Sequence, residues 1–202
     1  EYAEAVRRSG AAVVDRPDRP DVLIWSRHGG PEDLAATAGE LDSLRWVQLP
    51  AAGVEDFFRS GAVRARPDVT WTSAKGAYAR PVAEHALTLV LALLRRLPVR
   101  IRADSWGTQA GETLHDRRVL IVGGGGIAQE LARLLTVFDT TTVVVRRRDL
   151  PVEHAHRVLG MEHMHRELAL ADVVVLAAAL TPETAGMFSE AEFARMRRDA
   201  VF

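Results

Sequence analysis

The clearest candidate for a ligand-binding site in the sequence is a run of small residues between an apolar stretch and an amphipathic stretch. It reads Gly123-Gly124-Gly125-Gly126-Ile127-Ala128 and fits the pattern G-x-G-x-x-G/A, with Gly123, Gly125 and Ala128 at the three fixed positions. Gly123 permits a tight turn from a strand into a helix, and the bare backbone at Gly125 lets a diphosphate approach. The diphosphate would rest on the first helical amides, at Gly126 and Ile127, where unpaired N–H groups and the helix dipole favour an anion.

This pattern predicts a dinucleotide site, because it lies between a predicted strand at 119–122 and a predicted helix at 127–138. A second predicted strand at 142–145 follows at the expected distance. Two other interpretations stay open at this point. One is a flexible glycine turn without a ligand, and the other is a methyltransferase, which also holds an adenosine cofactor at a glycine-rich turn.

Three arginines follow the second of these strands. An NAD-specific site usually places Asp or Glu about 20 residues beyond the glycines, where it holds the ribose hydroxyls. Here Arg146, Arg147 and Arg148 come first, and no carboxylate appears before Asp149. Guanidinium groups suit a 2′-phosphate, so the sequence predicts NADP in preference to NAD, with Arg146 and Arg147 at the phosphate. The alternative is a solvated surface run, and a methyltransferase would also need an acid here.

Composition excludes several classes of protein. The 26 Lys and Arg nearly balance the 27 Asp and Glu, which argues against a nucleic-acid partner. The absence of cysteine excludes disulfides and thiolate metal sites. The most apolar run, 86–94, is about half the ~20 residues that a membrane span needs, and the charged residues 1–9 do not resemble a signal peptide. We therefore expect a cytoplasmic protein.

The seven histidines predict neither a catalytic residue nor a metal site. His85 falls in a predicted buried helix beside Glu84, where a structural hydrogen bond is expected. His163 and His165 could grip a metal only in a strand, because an i, i+2 spacing does not share a helix face. The others lie in predicted loops or polar segments without an evident partner: His28, His115, His154 and His156.

Strand and helix signals alternate along the chain, which predicts an α/β fold with parallel sheets. The predicted strands are 11–14, 21–25, 46–49, 69–72, 119–122, 142–145, 157–161 and 172–176. The predicted helices are 1–9, 31–44, 54–59, 81–97, 127–138 and 189–197. Apolar residues surround nearly the whole helix at 81–97, which indicates burial at a domain junction or a subunit interface. The polar stretch 100–116 is typical of a linker, so we place a domain boundary between residues 99 and 100.

Four motifs in this order resemble the D-isomer-specific 2-hydroxyacid dehydrogenases, with the Arg-containing second strand most similar to their glyoxylate and hydroxypyruvate reductase branch. The motifs are Leu49-Pro50-Ala51-Ala52-Gly53-Val54, Gly76-Ala77-Tyr78-Ala79-Arg80-Pro81-Val82-Ala83-Glu84-His85, the glycine run, and Asp172-Val173-Val174-Val175-Leu176 with Leu180-Thr181-Pro182-Glu183-Thr184. The resemblance implies part of a flavodoxin-like substrate domain at 1–99. It also implies a Rossmann-type dinucleotide-binding domain at 100–202, truncated at its C-terminus.

The resemblance also implies roles for individual residues. Ala52 and Gly53 would present backbone amides to a substrate carboxylate. Ala178, Ala179 and Thr184 would line the cofactor side of the cleft, after the strand at 172–176. The helix at 81–97 would pack between two subunits of a homodimer.

Catalysis in this family implies hydride transfer between NAD(P)H and a small 2-keto or 2-hydroxy acid. An Arg orients the carboxylate, and a His paired with a Glu handles the proton. The Arg is expected after a strand beginning at Asp199–Phe202, and the His and Glu further on. We therefore expect a chain whose two ends are internal to a longer protein and whose catalytic residues lie outside it.

Three positions depart from the family pattern. Ala128 stands where Gly is frequent, which the motif tolerates. Asp139 stands where a Gly usually ends the helix. Ala179 replaces a common Pro in the loop that would face the nicotinamide.

The alternative to the enzyme is a non-catalytic, dinucleotide-binding regulatory protein on the same fold.

Overall fold

The computed structural model describes residues 2–14, 19–26, 29–148 and 150–202. The chain forms two compact units, Glu1–Lys75 and Gly76–Phe202. This division differs from the boundary predicted between residues 99 and 100. The long helix that precedes residue 99 packs within the second unit, against the helix that follows the glycines, so contacts assign it there.

The first unit is built on a small parallel sheet. Its elements are α1 (Tyr2–Arg8), β1 (Val22–Ile24), α2 (Pro31–Glu40), β2 (Trp46–Gln48), α3 (Glu55–Arg59), α4 (Ala62–Ala65) and β3 (Thr70–Thr72). The strands are ordered β1-β2-β3, with Val22 opposite Trp46 and Trp46 opposite Thr70. One face of this sheet packs on α2 through a core of apolar residues. That core consists of Leu34, Ala38, Leu44, Val47, Leu49 and Val69.

Two local predictions for the first unit are wrong. Residues 11–14 form no strand, and Val14 is 57% exposed. The sheet of the first unit consists of β1, β2 and β3, and no described strand pairs with 11–14. The helix predicted to reach residue 44 ends at Glu40. Arg66 donates from Nη1 to the carbonyl oxygens of Ala38 at 2.5 Å and Leu41 at 3.1 Å, which satisfies carbonyls released at the helix end.

The second unit is a doubly wound parallel sheet. Its elements are α5 (Ala79–Leu94), α6 (Leu97–Arg100), β4 (Arg118–Val122), α7 (Gly126–Leu135), β5 (Thr141–Val145), β6 (Arg157–Leu159), α8 (Met164–Leu168), β7 (Val173–Leu176) and α9 (Glu190–Arg195). The strand order is β6-β5-β4-β7. Val201 forms a parallel bridge with Val173, so the strand expected at the end of the chain begins beside β7. The predicted α/β fold is confirmed.

Both faces of this sheet are buried, as the nearly continuous apolar strands require. Val119 and Ile121 of β4 point into a core shared with α5 and α7. Leu120 and Val122 point to the opposite face, into a core that includes α8. This two-sided packing fixes β4 in the middle of the sheet and therefore fixes the glycine turn at its carboxyl end.

Helix α5 is buried on one side within the described chain, and its other side stays exposed. Ala83 and Val90 are buried against the second unit's core, whereas Leu89 is 50% exposed and Leu93 44% exposed. His85 is also exposed, and no described residue is hydrogen-bonded to it, so the predicted structural hydrogen bond is absent from the described chain. The helix packs one face on α7 and leaves an apolar face open.

Charged groups gather at the amino end of the sheet, away from the glycines. Glu167 is 1% exposed and pairs with the Nη2 of Arg118, the first residue of β4. Asp172 accepts a hydrogen bond from the Arg118 amide at 2.8 Å and pairs with Arg197 at 2.9 Å. These contacts tie β4, α8 and the chain before Val201 together.

The helices within the described ranges are all too short or too polar to cross a bilayer.

Candidate nucleotide-binding site

Gly123 leaves the end of β4 in a conformation that only glycine adopts readily. Its φ is +109°, and a Cβ placed there would lie 2.7 Å from backbone atoms of Ala177 and Ala178. Its amide donates to the Val145 carbonyl at 2.8 Å. The tight turn predicted from the glycine pattern is therefore present, and the loop after β7 packs directly on it.

Gly125 and Gly126 lie at the start of α7 with their backbone accessible. Nothing lies within 4 Å of a Cβ built on Gly125, and both residues are exposed. The first backbone hydrogen bond of the helix runs from the Gln129 amide to the Gly125 carbonyl at 3.1 Å. The amides before Gln129, including that of Ile127, have no partner inside the helix. An open turn with unpaired amides fits the phosphates of a dinucleotide.

Arg146 and Arg147 follow β5 and line a cavity of about 370 Å³. The cavity lies at the carboxyl ends of β5 and β6, where ligands bind in open α/β sheets. Its other lining residues are Val158, Leu159, Gly160, Glu162 and His163. The structure thus places the two arginines predicted for the 2′-phosphate at one pocket beside the glycine turn. Asp149, the first carboxylate after the three arginines in the sequence, lies outside the described residues.

Glu162 and His163 are pocket residues that sequence reasoning missed. Their side chains approach each other, with His163 Nε2 3.5 Å from Glu162 Oε1. Both lie in a short turn after β6, at the same sheet edge as the arginines. The signal available in the sequence was their position just beyond the carboxyl end of a predicted strand, since parallel strands bring such ends together.

The loop after β7 contains the residues expected on the nicotinamide side. Ala178 is half-buried against the Gly123 turn, and Ala179 is exposed. Thr184 holds the loop rather than facing outward, because its hydroxyl donates to the Ala179 carbonyl at 2.6 Å and accepts from the Thr181 amide at 2.7 Å. Hydrogen bonding by Thr181, its own backbone amide and the charge of Arg147 lower the pKa of Glu183 below its usual range.

In the first unit, Ala52 and Gly53 follow β2 in an exposed turn. The Ala51 carbonyl accepts a hydrogen bond from the Ala74 amide at 3.2 Å, which holds the turn beside the chain after β3. A Cβ built on Gly53 would lie 3.1 Å from Glu55 Oε2. The backbone predicted to receive a substrate carboxylate is therefore accessible, with a carboxylate close to it.

The histidines and acids form no cluster of three or more that could hold a metal within the described ranges. His165 pairs with Glu192 at 3.1 Å, but that carboxylate also accepts hydrogen bonds from the Ser189 amide at 3.0 Å and the Ser189 hydroxyl at 2.6 Å. Ser189 and Glu192 form a capping box at the start of α9, and the contact of His165 with Glu192 is made to this capping carboxylate.

Comparison with known proteins decides between the interpretations of the glycine turn. Residues 87–202, more than half of the chain, match the sequence model of the D-isomer specific 2-hydroxyacid dehydrogenase, NAD binding domain. The chain belongs to this dehydrogenase family. The resemblance drawn from the four motifs is confirmed, and membership excludes the methyltransferase interpretation.

Relatives within the dehydrogenase family carry two different activities in their names. A glyoxylate reductase/hydroxypyruvate reductase of Mus musculus is 32% identical over 169 residues, covering 79% of this chain and 51% of the mouse protein. A D-3-phosphoglycerate dehydrogenase of Mycobacterium bovis is 28% identical over 199 residues, covering 91% of this chain and 37% of its own length. The chain therefore spans about half the length of these relatives, or less.

A solved structure supports the dehydrogenase fold over nearly the whole chain. A D-isomer specific 2-hydroxyacid dehydrogenase family protein from Aeromonas salmonicida superposes with a TM-score of 0.80 at 22% identity. The match covers 98% of this chain and 67% of that protein.

Proposed function

We propose that the chain binds NADPH in preference to NADH, as part of an oxidoreductase acting on a small 2-keto or 2-hydroxy acid. The observation that carries this proposal is the cavity beside the open glycine turn, lined by Arg146 and Arg147. A 2′-phosphate in that cavity would meet two guanidinium groups, which bind phosphate through charged, forked hydrogen bonds. Among the described residues that line the cavity, the two arginines outnumber the one carboxylate, that of Glu162.

Different described residues would bind different parts of the cofactor and the substrate. Amides of Gly126 and Ile127 at the start of α7 would hold the diphosphate. The loop through Ala178 and Ala179 would face the nicotinamide. When bound, the cofactor supplies the hydride. The bare turn at Ala52 and Gly53 would receive the substrate carboxylate.

No proton-transfer residue is assigned within this chain. The His165–Glu192 pair is engaged in capping α9, and His163 lies in the cavity proposed for the adenosine end of the cofactor. We therefore expect cofactor binding without turnover by the chain alone. Measurable reduction of glyoxylate by this chain would show that the catalytic residues have been placed wrongly.

Calorimetric titration with NADPH and NADH tests the cofactor preference. We expect NADPH to bind at least about tenfold more tightly, because a charge-assisted hydrogen bond to phosphate is worth roughly 1.5–3 kcal/mol. Arg146→Asp should remove the preference. Arg148→Asp is the matched control, since it makes the same charge change two residues further along the chain, at a residue that does not line the cavity. Equal or weaker binding of NADPH by the unaltered chain would contradict the proposal.

We further propose that a second copy of the chain covers the exposed face of α5. Val82, Leu89 and Leu93 are 40%, 50% and 44% exposed on one helix, and a continuous apolar stripe of this kind marks protein interfaces. The family relationship favours an enzyme over the non-catalytic regulatory alternative. The cytoplasmic location stays a prediction from the sequence.

A further inference from the structure

Gly124 is a glycine that neither the motif nor the backbone requires. It occupies a variable position of the pattern G-x-G-x-x-G/A. Unlike Gly123, it does not have a positive φ, so an ordinary residue could adopt its backbone conformation. A reason for the missing side chain must therefore lie in its surroundings.

The space beside Gly124 is filled by Arg146. A Cβ built on Gly124 would lie 2.7 Å from both Cδ and Nε of Arg146 and 2.9 Å from its Cζ. The guanidinium is also held from the other side, because its Nη1 donates to the Leu150 carbonyl at 3.1 Å. Arg146 thus lies across the glycine turn, joined to the chain beyond β5, while it also lines the 370 Å³ cavity.

We propose that Gly124 is a specificity-determining residue: its missing side chain lets Arg146 lie across the turn, where the guanidinium receives an adenosine 2′-phosphate. The inference rests on the proposed function. A long arginine normally loses rotamer freedom when it binds a ligand, and a guanidinium already held in place loses less. Gly124 therefore raises affinity for 2′-phosphorylated ligands without touching them.

The test uses Gly124→Ala with two probes that differ by one phosphate, 2′,5′-ADP and 5′-ADP. Alanine fits the backbone, and the three atoms nearest to its Cβ belong to the flexible side chain of Arg146, so the variant should fold. We expect binding of 2′,5′-ADP to weaken about tenfold by calorimetry, as one charged hydrogen bond is lost. Binding of 5′-ADP should change less than about twofold.

The same substitution in an Arg146→Met background is the matched control. With the guanidinium gone, Gly124→Ala should change neither affinity, because residue 124 acts through Arg146 alone. An equal loss for both probes in both backgrounds would overturn the inference, since Gly124 would then contact the common part of the ligand. Unchanged binding of 2′,5′-ADP by Gly124→Ala would overturn it as well.

The experiment gives a different result if the proposed function itself is wrong. If the unaltered chain binds the two probes equally, or binds neither, the cofactor assignment fails before any variant is compared, and the inference fails with it. A second measurement needs no variant. In the free chain, the Arg146 side chain should show nuclear Overhauser contacts to the Gly124 Hα protons, and their absence would contradict the packing on which the inference depends.

Discussion

The Cα of Gly123 faces the peptide that joins Ala177 to Ala178, and a Cβ added there would lie 2.7 Å from three atoms of that peptide. Backbone therefore packs on backbone where the end of β4 meets the loop after β7. The turn that would hold the diphosphate therefore packs directly on the loop that would face the nicotinamide. Any side chain at position 123 must push the two apart.

Gly123→Ala should destabilise the protein by about 2–4 kcal/mol, since it combines a positive φ with overpacking against backbone. Gly125→Ala is the matched comparison, because its Cβ would enter open space and its φ of −84° suits any residue. The second variant should keep its free energy of unfolding within about 1 kcal/mol yet lose affinity for NADPH. Denaturant unfolding and calorimetry separate the two effects. Equal stability of both variants would contradict the packing described here.

Arg118→Met should cost about 3 kcal/mol of unfolding free energy, because it leaves the buried carboxylate of Glu167 without its cation. Glu167 Oε1 already accepts no hydrogen bond from any described residue, so little remains to compensate the charge. The double variant Arg118→Met/Glu167→Met should be more stable than Arg118→Met alone. Urea unfolding at pH 7 measures all three proteins, and a single variant as stable as the unaltered chain would show that the pair is not needed.

Stability should fall as the solution is acidified from about pH 4.5 to pH 2, in part through Glu192. Hydrogen bonds from the Ser189 hydroxyl, the Ser189 amide and His165 lower the pKa of Glu192 from 4.5 to about 2. A carboxylate with a lowered pKa stabilises the fold above its ordinary pKa, and that contribution is lost as pH falls through the folded value.

The variant Glu192→Gln should therefore show a smaller change in Tm between pH 4.5 and pH 2 than the unaltered chain. Glu190→Gln serves as the control, because it removes an exposed carboxylate from the same helix. If both variants and the unaltered chain follow the same acid profile, the capping box does not carry this dependence.

A charged residue introduced on the exposed apolar face of α5 should prevent two copies of the chain from associating. Sedimentation velocity is expected to show a dimer for the unaltered chain and a monomer for Leu89→Glu, since burying a charge in an apolar contact is costly. Val137→Glu introduces the same charge at a site that is 71% exposed and lies outside α5, in the turn after α7, so this variant should remain dimeric. A monomeric unaltered chain at tens of micromolar would refute the proposed interface.

Much of the second unit could be predicted from sequence because its signals are local. The apolar strands at 118–122 and 141–145 need burial on both faces, and the glycine pattern that follows the first of them is typical of a tight turn from a strand into a helix. The conformation of Asp139, which replaces the family's usual Gly, also follows from a local signal. Asp139 adopts φ +54° at the end of the helix, where short polar side chains tolerate the left-handed region better than most.

The failed predictions depend on tertiary contacts that no local pattern encodes. Residues 11–14 have the apolar composition of a strand, but none of the strands in the described ranges pairs with them. Helix α2 ends early where Arg66, 26 residues beyond Glu40 in the numbering, donates to the Ala38 carbonyl. The contact of Arg146 with Gly124 likewise joins two loops that only the sheet order brings together.

The central claim is that a dinucleotide lies with its diphosphate against bare backbone at the start of α7. Amide chemical-shift mapping of the ¹⁵N-labelled chain during addition of NADPH tests it directly. The account predicts that the largest shifts fall on Gly125, Gly126 and Ile127, with a second group at Arg146 and Arg147. Saturation with NADPH that leaves the three helix-start amides unmoved, or no saturable shift anywhere, would contradict it.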